Sequence, residues 1–348
     1  MIIGSHRSLP STIVVGACFL MATCGEPHKY DLPTYWDSYT PGRAELAGSW
    51  IWVPLTLMAA AMQTARTAGQ KRLTRDVSLL MATLTRFLFG LPFAALYLSL
   101  LLWSRGRVLP PMGAEFLLFT LLTALSQIAG TFLLIYVLSL RNFAVGTTYA
   151  RTETFTTAIV GVALFGEVIP LLGWIAIAVC IAGVVLMTAS RAGIAGESLI
   201  TQLRSSAAGV GLASGLGFSI ASLSLRRASL SLGDPDYLVS AAFTLVTVIA
   251  IETLLLGSYA AVRERTQYGL VRRRLGLSSF IGLTSMLGSV GWFTAMTLER
   301  ASYVKALGQV ELILGMVVST VFFRERYTWR ELAGIALIAA GVLLLFFA

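Results

Sequence analysis

The sequence contains few of the residues on which catalytic and metal sites commonly depend. Its histidines are His6 and His28, and its cysteines are Cys18, Cys24 and Cys180. The cysteines form no CxxC motif and no other metal-ligand spacing, so they indicate neither a disulfide framework nor a zinc site. Both histidines precede the first long apolar segment, which excludes histidine from a proton relay or metal site within the membrane. No cofactor and no metal are therefore expected.

Charged residues are also scarce. They make up 12% of the 348 residues, whereas 56% are hydrophobic; a soluble domain is about 25% charged. The apolar segments reach the ~20 residues that a helix needs to cross the hydrocarbon core of a bilayer. They also lack the strict alternation of apolar and polar residues found in membrane-spanning β-strands. The sequence therefore predicts an all-α integral membrane protein.

The net charge of +9 does not favour a nucleic-acid partner. The Lys and Arg residues lie in short clusters between apolar segments, as membrane orientation signals do. Fourteen of them follow odd-numbered predicted helices, and five lie on the other side of the membrane. This bias places the loops after the odd-numbered helices in the cytoplasm, so the first helix of the membrane domain would begin outside.

One segment of the sequence is duplicated. Residues 140–187 align without a gap with residues 298–345, at a constant offset of 158 positions. The alignment pairs Glu153 with Glu311, and an apolar segment of membrane length surrounds each carboxylate. A duplication of this kind is typical of transporters built from two repeats.

Ten transmembrane helices are predicted, in two sets of five. Because five is odd, the second set must cross the membrane in the opposite sense, which predicts inverted five-helix repeats. The predicted helices are 50–69, 77–102, 113–138, 143–165, 170–189, 207–225, 237–262, 277–297, 302–323 and 329–347.

These helices divide the chain into four parts. Residues 1–48 form an N-terminal extension, in which the signal-like apolar run 9–22 precedes a polar stretch that is expected to be disordered. The first five-helix repeat covers 49–190, a linker covers 191–206, and the second repeat covers 207–348.

A sequence pattern occurs in both repeats: a helix rich in small residues ends in Gly-Glu or Arg-Glu, and a glycine-containing helix follows at once. This pattern resembles the EamA family of the drug/metabolite transporter superfamily, and the resemblance covers about 50–347. The residues that carry it are Gly166, Glu167 and Gly183 in the first copy, and Arg324, Glu325, Gly334 and Gly341 in the second.

The resemblance implies a multi-pass exporter of amino acids, metabolites or drugs in a bacterial inner membrane, with a central cavity between the repeats. It also implies that both termini lie inside, against the charge bias. Two features depart from the family. Thr154 and Leu312 stand where a proline is common, and the first and sixth helices lack an internal carboxylate. The coupling glutamate of the small multidrug-resistance relatives therefore cannot be assigned here.

Charged residues inside the predicted helices are the candidate site. A charge there costs ~2.5–3.5 kcal/mol on insertion scales, so it should face a partner or a wet cavity. The alternative is that Glu153 and Glu311 are buried and paired, and only set the register of their helices. The candidate coupling and substrate residues are Glu153, Glu311, Arg151, Lys305, Gln309 and Arg86, and the candidate cavity lining is Gln63, Tyr136, Ser219 and Trp292.

Three other glutamates receive structural interpretations. Glu252 has no counterpart in the repeat, which favours a structural role. Glu167 and Glu325 lie in tight turns between helices, where each is expected to cap the helix that follows it.

These features favour a secondary transporter that exports small organic solutes by alternating access, with protons as candidate coupling ions. The sequence has no Walker-type phosphate-binding motif, so ATP is not the expected energy source. A flippase for a lipid-linked precursor and a membrane receptor or scaffold are the alternatives. The expected partners are a small-molecule substrate and the lipid bilayer, and the oligomeric state is open. An enzyme is not expected, because the membrane domain lacks a nucleophile–base pair or metal cluster.

Overall fold

The computed structural model describes residues 50–140, 153–191, 206–311, 313–314, 328–345 and 347, and every regular element in these ranges is a helix. The N-terminal extension 1–48, Arg151 and Glu325 lie outside them. The described helices are α1 (Trp52–Leu73), α2 (Leu79–Arg105), α3 (Ala114–Leu140), α4 (Glu153–Phe165), α5 (Leu171–Arg191), α6 (Ser206–Ser231), α7 (Tyr237–Arg263), α8 (Gln267–Arg273), α9 (Leu275–Leu298), α10 (Ala301–Leu307) and α11 (Trp329–Leu345).

The short helix α8 was not predicted, so α9 to α11 correspond to the predicted eighth to tenth helices. Capping residues explain several of the other boundaries. The Ser78 hydroxyl accepts a hydrogen bond from the Met81 amide at the start of α2, at 3.1 Å, and Asp236 caps α7 through the Leu238 amide, at 3.0 Å. Gly106, with φ of +60°, ends α2 in the left-handed conformation that glycine adopts most readily.

The structure extends the duplication seen in the sequence. Helices α2 and α7 begin 158 residues apart and end 158 residues apart, and α5 and α11 also begin 158 residues apart. Ser78 and Asp236, the two N-cap residues, are separated by the same offset. The repeated register therefore includes the second helix of each half as well as the segment 140–187.

Equivalent helices of the two halves pack against each other in a reciprocal pattern. Helix α3 packs along α6 and α1 packs along α9, so the third helix of each half meets the first helix of the other. The equivalent pairs α2–α7, α4–α10 and α5–α11 also pack together. This reciprocity is typical of a pseudo-two-fold arrangement of duplicated halves.

Helices α2 and α7 run antiparallel. At the start of α2, the Ser78 hydroxyl donates to Glu264, which follows α7 in the chain. At the end of α2, Arg105 forms an ion pair with Asp236, the N-cap of α7, at 3.5 Å. Two repeat-related helices therefore point in opposite directions.

Helices α5 and α11 approach closely through glycines. A Cβ atom on Gly183 would lie 2.7 Å from the Gly334 carbonyl oxygen, and one on Gly341 would lie 2.8 Å from the Ala176 carbonyl oxygen. Gly183 and Gly341 differ by 158 positions, as do Ala176 and Gly334, so the two close approaches are repeat-related. Small residues allow this packing inside a membrane, where helix backbones must approach closely to gain contacts.

Four of the described helices are long and apolar enough to cross a membrane: α2, residues Ala114–Leu134 of α3, α7 and α9. The apolar parts of α4, α5 and α11 are shorter, so the count of ten spans stays a prediction. Large apolar side chains face outward, with Phe132 64% exposed and Leu254 71% exposed. Such surfaces are costly in water and suit contact with lipid.

Candidate functional site

An ion pair joins the two halves at the first described residue of α4. Lys305 on α10 forms this pair with Glu153, and each side chain is 19% exposed. The Lys305 ammonium also lies 5.2 Å from the centroid of the Trp292 ring on α9, which adds a cation–π contact. The lysine is therefore held between a carboxylate of the first half and an aromatic ring of the second.

Gln63 on α1 connects this pair to the second carboxylate. Its Oε1 accepts a hydrogen bond from the Trp292 indole at 3.1 Å, and its Nε2 donates to Glu311 Oε2 at 2.7 Å. Because an indole N–H can only donate, the amide oxygen must face Trp292 and the amide nitrogen must face Glu311. Trp292 thus orients Gln63 toward the carboxylate.

These contacts form one continuous set, the central network, which consists of Glu153, Lys305, Trp292, Gln63 and Glu311. All five were predicted as site residues, and the structure brings them together. Gly308 makes room for the network, because a Cβ atom there would lie 2.5 Å from the Trp292 ring.

Two further predicted residues hold α4 beside the network. Buried Gln309, two residues after the end of α10, donates to the Thr154 hydroxyl at 2.6 Å. Buried Ser219 on α6 donates to the Glu153 carbonyl at 3.0 Å. Thr157 lies within 3.0 Å of the Ser219 hydroxyl and ties α4 to α6 at the same point. These bonds set the position of the Glu153 backbone.

A second group of charges lies between α1, α2 and α7. Glu252 on α7 is fully buried, and neither of its carboxylate oxygens has a hydrogen-bond partner among the described residues. Buried Arg86 on α2 interacts electrostatically with Glu252 and lies 4.5 Å above the Phe87 ring. Arg66 on α1 interacts electrostatically with both Arg86 and Glu311. Arg66 therefore links this group to the central network.

Sequence reasoning missed Arg66. It is the only charged residue between Trp50 and Gln70, and it lies three positions after Gln63, which places both on one face of the helix. A charge one turn from the predicted cavity-lining residue Gln63 was the signal. The predicted site residue Arg86 lies apart from the central network, and Tyr136, near the end of α3, is 47% exposed.

Glu167 caps a different helix from the one expected. Its carboxylate accepts hydrogen bonds from the Ala301 amide and the Ser302 hydroxyl, both at 3.1 Å, at the start of α10. It also lies 3.9 Å from Arg226 at the end of α6. Arg226 in turn donates to the carbonyls of Met296 and Glu299. The prediction of a cap on the following helix, α5, is corrected to a cap on the helix of the other half.

Comparison with known proteins supports the duplication and the class. The profile of the EamA-like transporter family matches residues 50–189 and again residues 205–347. No curated protein matches the chain significantly. A solved structure described only as "Crystal structure of protein" is similar with a TM-score of 0.63 and 15% identity, over 85% of this chain and 96% of that one. At this identity the likeness concerns the fold alone.

Proposed function

Because the chain belongs to the EamA-like transporter family, we propose that it exports small organic solutes by alternating access of its two halves. Family membership makes it a multi-pass membrane transporter and not an enzyme. The observation that carries the proposal is the central network, in which charged and aromatic groups of both halves meet. Its location in a bacterial cytoplasmic membrane is part of the proposal and rests on the family resemblance.

The antiparallel helices α2 and α7 support an inverted repeat with its pseudo-two-fold axis in the membrane plane. In transporters of this architecture the substrate site lies near the bilayer midplane, between the repeats. The pair of Glu153 and Lys305 crosses between the repeats, so relative motion of the halves would break or remake it. Intramembrane charges that pair with one another commonly mark a transport pathway.

The two carboxylates have different surroundings although the repeat makes them equivalent. The offset of 158 places Thr147 opposite Lys305 and Ala221 opposite Gln63. Glu153 forms an ion pair with Lys305. Glu311 instead accepts a hydrogen bond from the neutral Gln63 amide and interacts electrostatically with Arg66. This asymmetry gives the two carboxylates separate roles.

We assign Glu311 as the group that takes up and releases a proton. A carboxylic acid keeps a carbonyl oxygen, so protonated Glu311 can still accept the Gln63 hydrogen bond. Protonation of Glu153 would instead remove the charge that binds Lys305. We therefore assign Glu153 to the positioning of Lys305, whose ammonium is available to a substrate anion when the halves move.

The experiment begins with export assays on cells that lack or overproduce the protein, with a panel of solutes measured in the medium. Glu311→Gln is then expected to abolish the pH dependence of export of the identified solute. Glu153→Gln is expected to lower export by about tenfold or more, because a hydrogen bond to a charged group contributes about 1.5–3 kcal/mol.

Glu115→Gln is the matched control. Glu115 pairs with Arg227 and its side chain is 41% exposed, away from the central network. This variant should export at the unaltered rate and with the unaltered pH dependence. The coupling assignment fails if Glu311→Gln, at a normal membrane level, exports with the pH dependence of the control. The positioning assignment fails if Glu153→Gln exports at the control rate.

A further inference from the structure

A groove rich in arginine lies at one end of the helices, apart from the central network. It forms where the end of α1 and the α1–α2 turn meet α8 and the start of α9. Its volume is about 620 Å³, within the range of small-molecule sites. The residues that line this arginine groove are Arg72, Arg75, Asp76, Arg273, Arg274, Gly276 and Leu277.

The charge of the arginine groove is strongly positive. Four arginines and one aspartate give it a net charge of +3. Arg274 pairs with Asp76 at 3.0 Å, whereas Arg72, Arg75 and Arg273 form no ion pair within the described part of the chain. Like charges gathered in one concave site repel each other and attract an anion. The planar guanidinium group suits phosphate in particular, because it can donate two parallel hydrogen bonds.

Backbone donors add to this charge. Gly276 and Leu277 are the second and third residues of α9, a helix of 24 residues, and its N-cap residue provides no side-chain cap. The first amides of a helix have no acceptor within the helix and carry the positive end of its dipole. A Cβ atom on Gly276 would meet nothing within 4 Å, so the space in front of this backbone is open.

The helix that begins at the groove, α9, carries exposed apolar side chains in its first turns, which favours a lipid over a soluble anion. Leu275 and Phe280, in the first two turns of α9, are 51% and 46% exposed. Helix α9 is one of those long and apolar enough to cross the membrane. The groove thus adjoins a surface that suits lipid chains, as expected at the level of the headgroups.

We propose that the arginine groove binds the phosphate headgroup of an anionic phospholipid, with its acyl chains along Leu275 and Phe280. This inference uses the membrane placement that family membership gives, and it is independent of the solute exported. It adds a lipid-binding site to the protein, outside the route between the two halves.

Binding to the full-length purified protein in neutral detergent tests the proposal. The probes are dioctanoyl phosphatidylglycerol, dioctanoyl phosphatidylcholine and inorganic phosphate, with dissociation constants measured by microscale thermophoresis. The groove variant carries Arg72→Gln, Arg75→Gln and Arg273→Gln. Its affinity for phosphatidylglycerol should fall about 100-fold, since each arginine near a membrane surface contributes about a factor of five.

The control variant carries Arg263→Gln, Arg265→Gln and Arg272→Gln. It loses the same charge at the same end of the molecule, but these residues do not line the groove. The control should keep its affinity within about twofold, as expected for exposed charges outside the site. Unaltered protein should bind phosphatidylglycerol more tightly than phosphatidylcholine or inorganic phosphate.

Three results would overturn the proposal: equal losses in the groove and control variants, equal affinity for the two lipids, or binding of inorganic phosphate as tight as that of phosphatidylglycerol. The double variant Arg72→Gln, Arg75→Gln leaves α8 and α9 unchanged and serves if the triple variant does not give a monodisperse protein. Its affinity should fall about 30-fold, and an unchanged affinity would likewise reject the groove.

Discussion

Burial of single charged side chains away from water is energetically unfavourable in this fold. Glu252 is fully buried beside Arg86, and its carboxylate accepts no hydrogen bond from the described residues. Electrostatic attraction to the Arg86 guanidinium offsets only part of the loss of hydration of this carboxylate. The removal of one partner would leave the other as an uncompensated buried charge.

We expect Arg86→Met and Glu252→Met each to lower the free energy of unfolding by about 3–5 kcal/mol. The double variant should lose less than the sum of the two, because both charges are then absent. Reversible unfolding in mixed micelles measures the cycle. Arg107→Met is the control, since Arg107 pairs with Asp234 at 3.8 Å with its side chain 42% exposed; its loss should be about 1 kcal/mol or less. Additive losses in the cycle would contradict an electrostatic interaction between Arg86 and Glu252.

Residue identity alone predicted the five residues of the central network but not which of them contact each other. Helical geometry places Lys305 and Glu311 on different faces of one predicted helix, and this spacing by itself favours two separate polar surfaces. In the structure, Trp292 and Gln63 bridge these faces and join them in one network. The bridge comes from helices α9 and α1, and the periodicity of a single helix carries no information about its neighbours. The same limit concealed Arg66, whose importance lies in its approach to Arg86 and Glu311.

At the scale of the elements, the close packing of α5 and α11 leaves no room for a side chain at two repeat-related glycines. A Cβ atom on Gly183 would lie 2.8 Å from the Ile338 amide nitrogen, and one on Gly341 would lie 2.7 Å from the Cys180 amide nitrogen. Backbone atoms cannot rotate away, so an added methyl group must push the helices apart. The Cys180 thiol, 3.7 Å from the Ile338 carbonyl, lies at the same crossing.

We therefore expect Gly183→Ala and Gly341→Ala each to destabilise the protein by about 1–3 kcal/mol, as overpacking usually does. The control is Gly257→Ala on α7, where the nearest atom to an added Cβ is Leu84 Cδ1 at 3.9 Å. That change should be neutral or stabilising by up to about 1 kcal/mol, because alanine favours a helix over glycine. Thermal unfolding monitored by size-exclusion chromatography compares the three. Equal behaviour of all three would show that the crossing tolerates a methyl group.

Most caps of this structure are local in the chain, and one exception shows where reasoning from local sequence ends. The caps of α2 and α7 lie next to the helices that they begin. Glu167 follows α4 and precedes α5, yet it binds the start of α10. Nearness in the chain favoured α5, whereas the packing of α4 beside α10 brought another set of free amides closer. Contacts between the two halves therefore determine which helix Glu167 caps, and a sequence pattern does not predict such contacts.

At the scale of the whole molecule, the two ends of the helices differ in charge and in the loops that connect the helices there. The arginine groove lies at the end formed by the α1–α2 turn and α8. The opposite end contains the ion pairs of Arg105 with Asp236 and of Arg107 with Asp234. Loops rich in Lys and Arg usually stay in the cytoplasm, so the groove end is expected to face inward. Repeat-related positions would then lie on opposite sides of the membrane.

Cysteine labelling of Arg107 and Arg265 tests the inverted arrangement, because these residues are 158 positions apart and both are exposed. In a background with Cys18→Ser and Cys24→Ser, which keeps the buried Cys180, an impermeant maleimide should label Arg107→Cys in intact cells. It should label Arg265→Cys and Arg75→Cys only after the membrane is permeabilised. Arg75 lies at the groove end with Arg265 but belongs to the first half, so its labelling reports the orientation of that end independently of the repeat.

Labelling of Arg107→Cys and Arg265→Cys from the same side would reject the inverted repeat. Labelling of Arg265→Cys and Arg75→Cys in intact cells, with Arg107→Cys protected, would agree with the inverted repeat but reverse the orientation. The termini of the ten-helix domain would then lie inside, as the family resemblance implies.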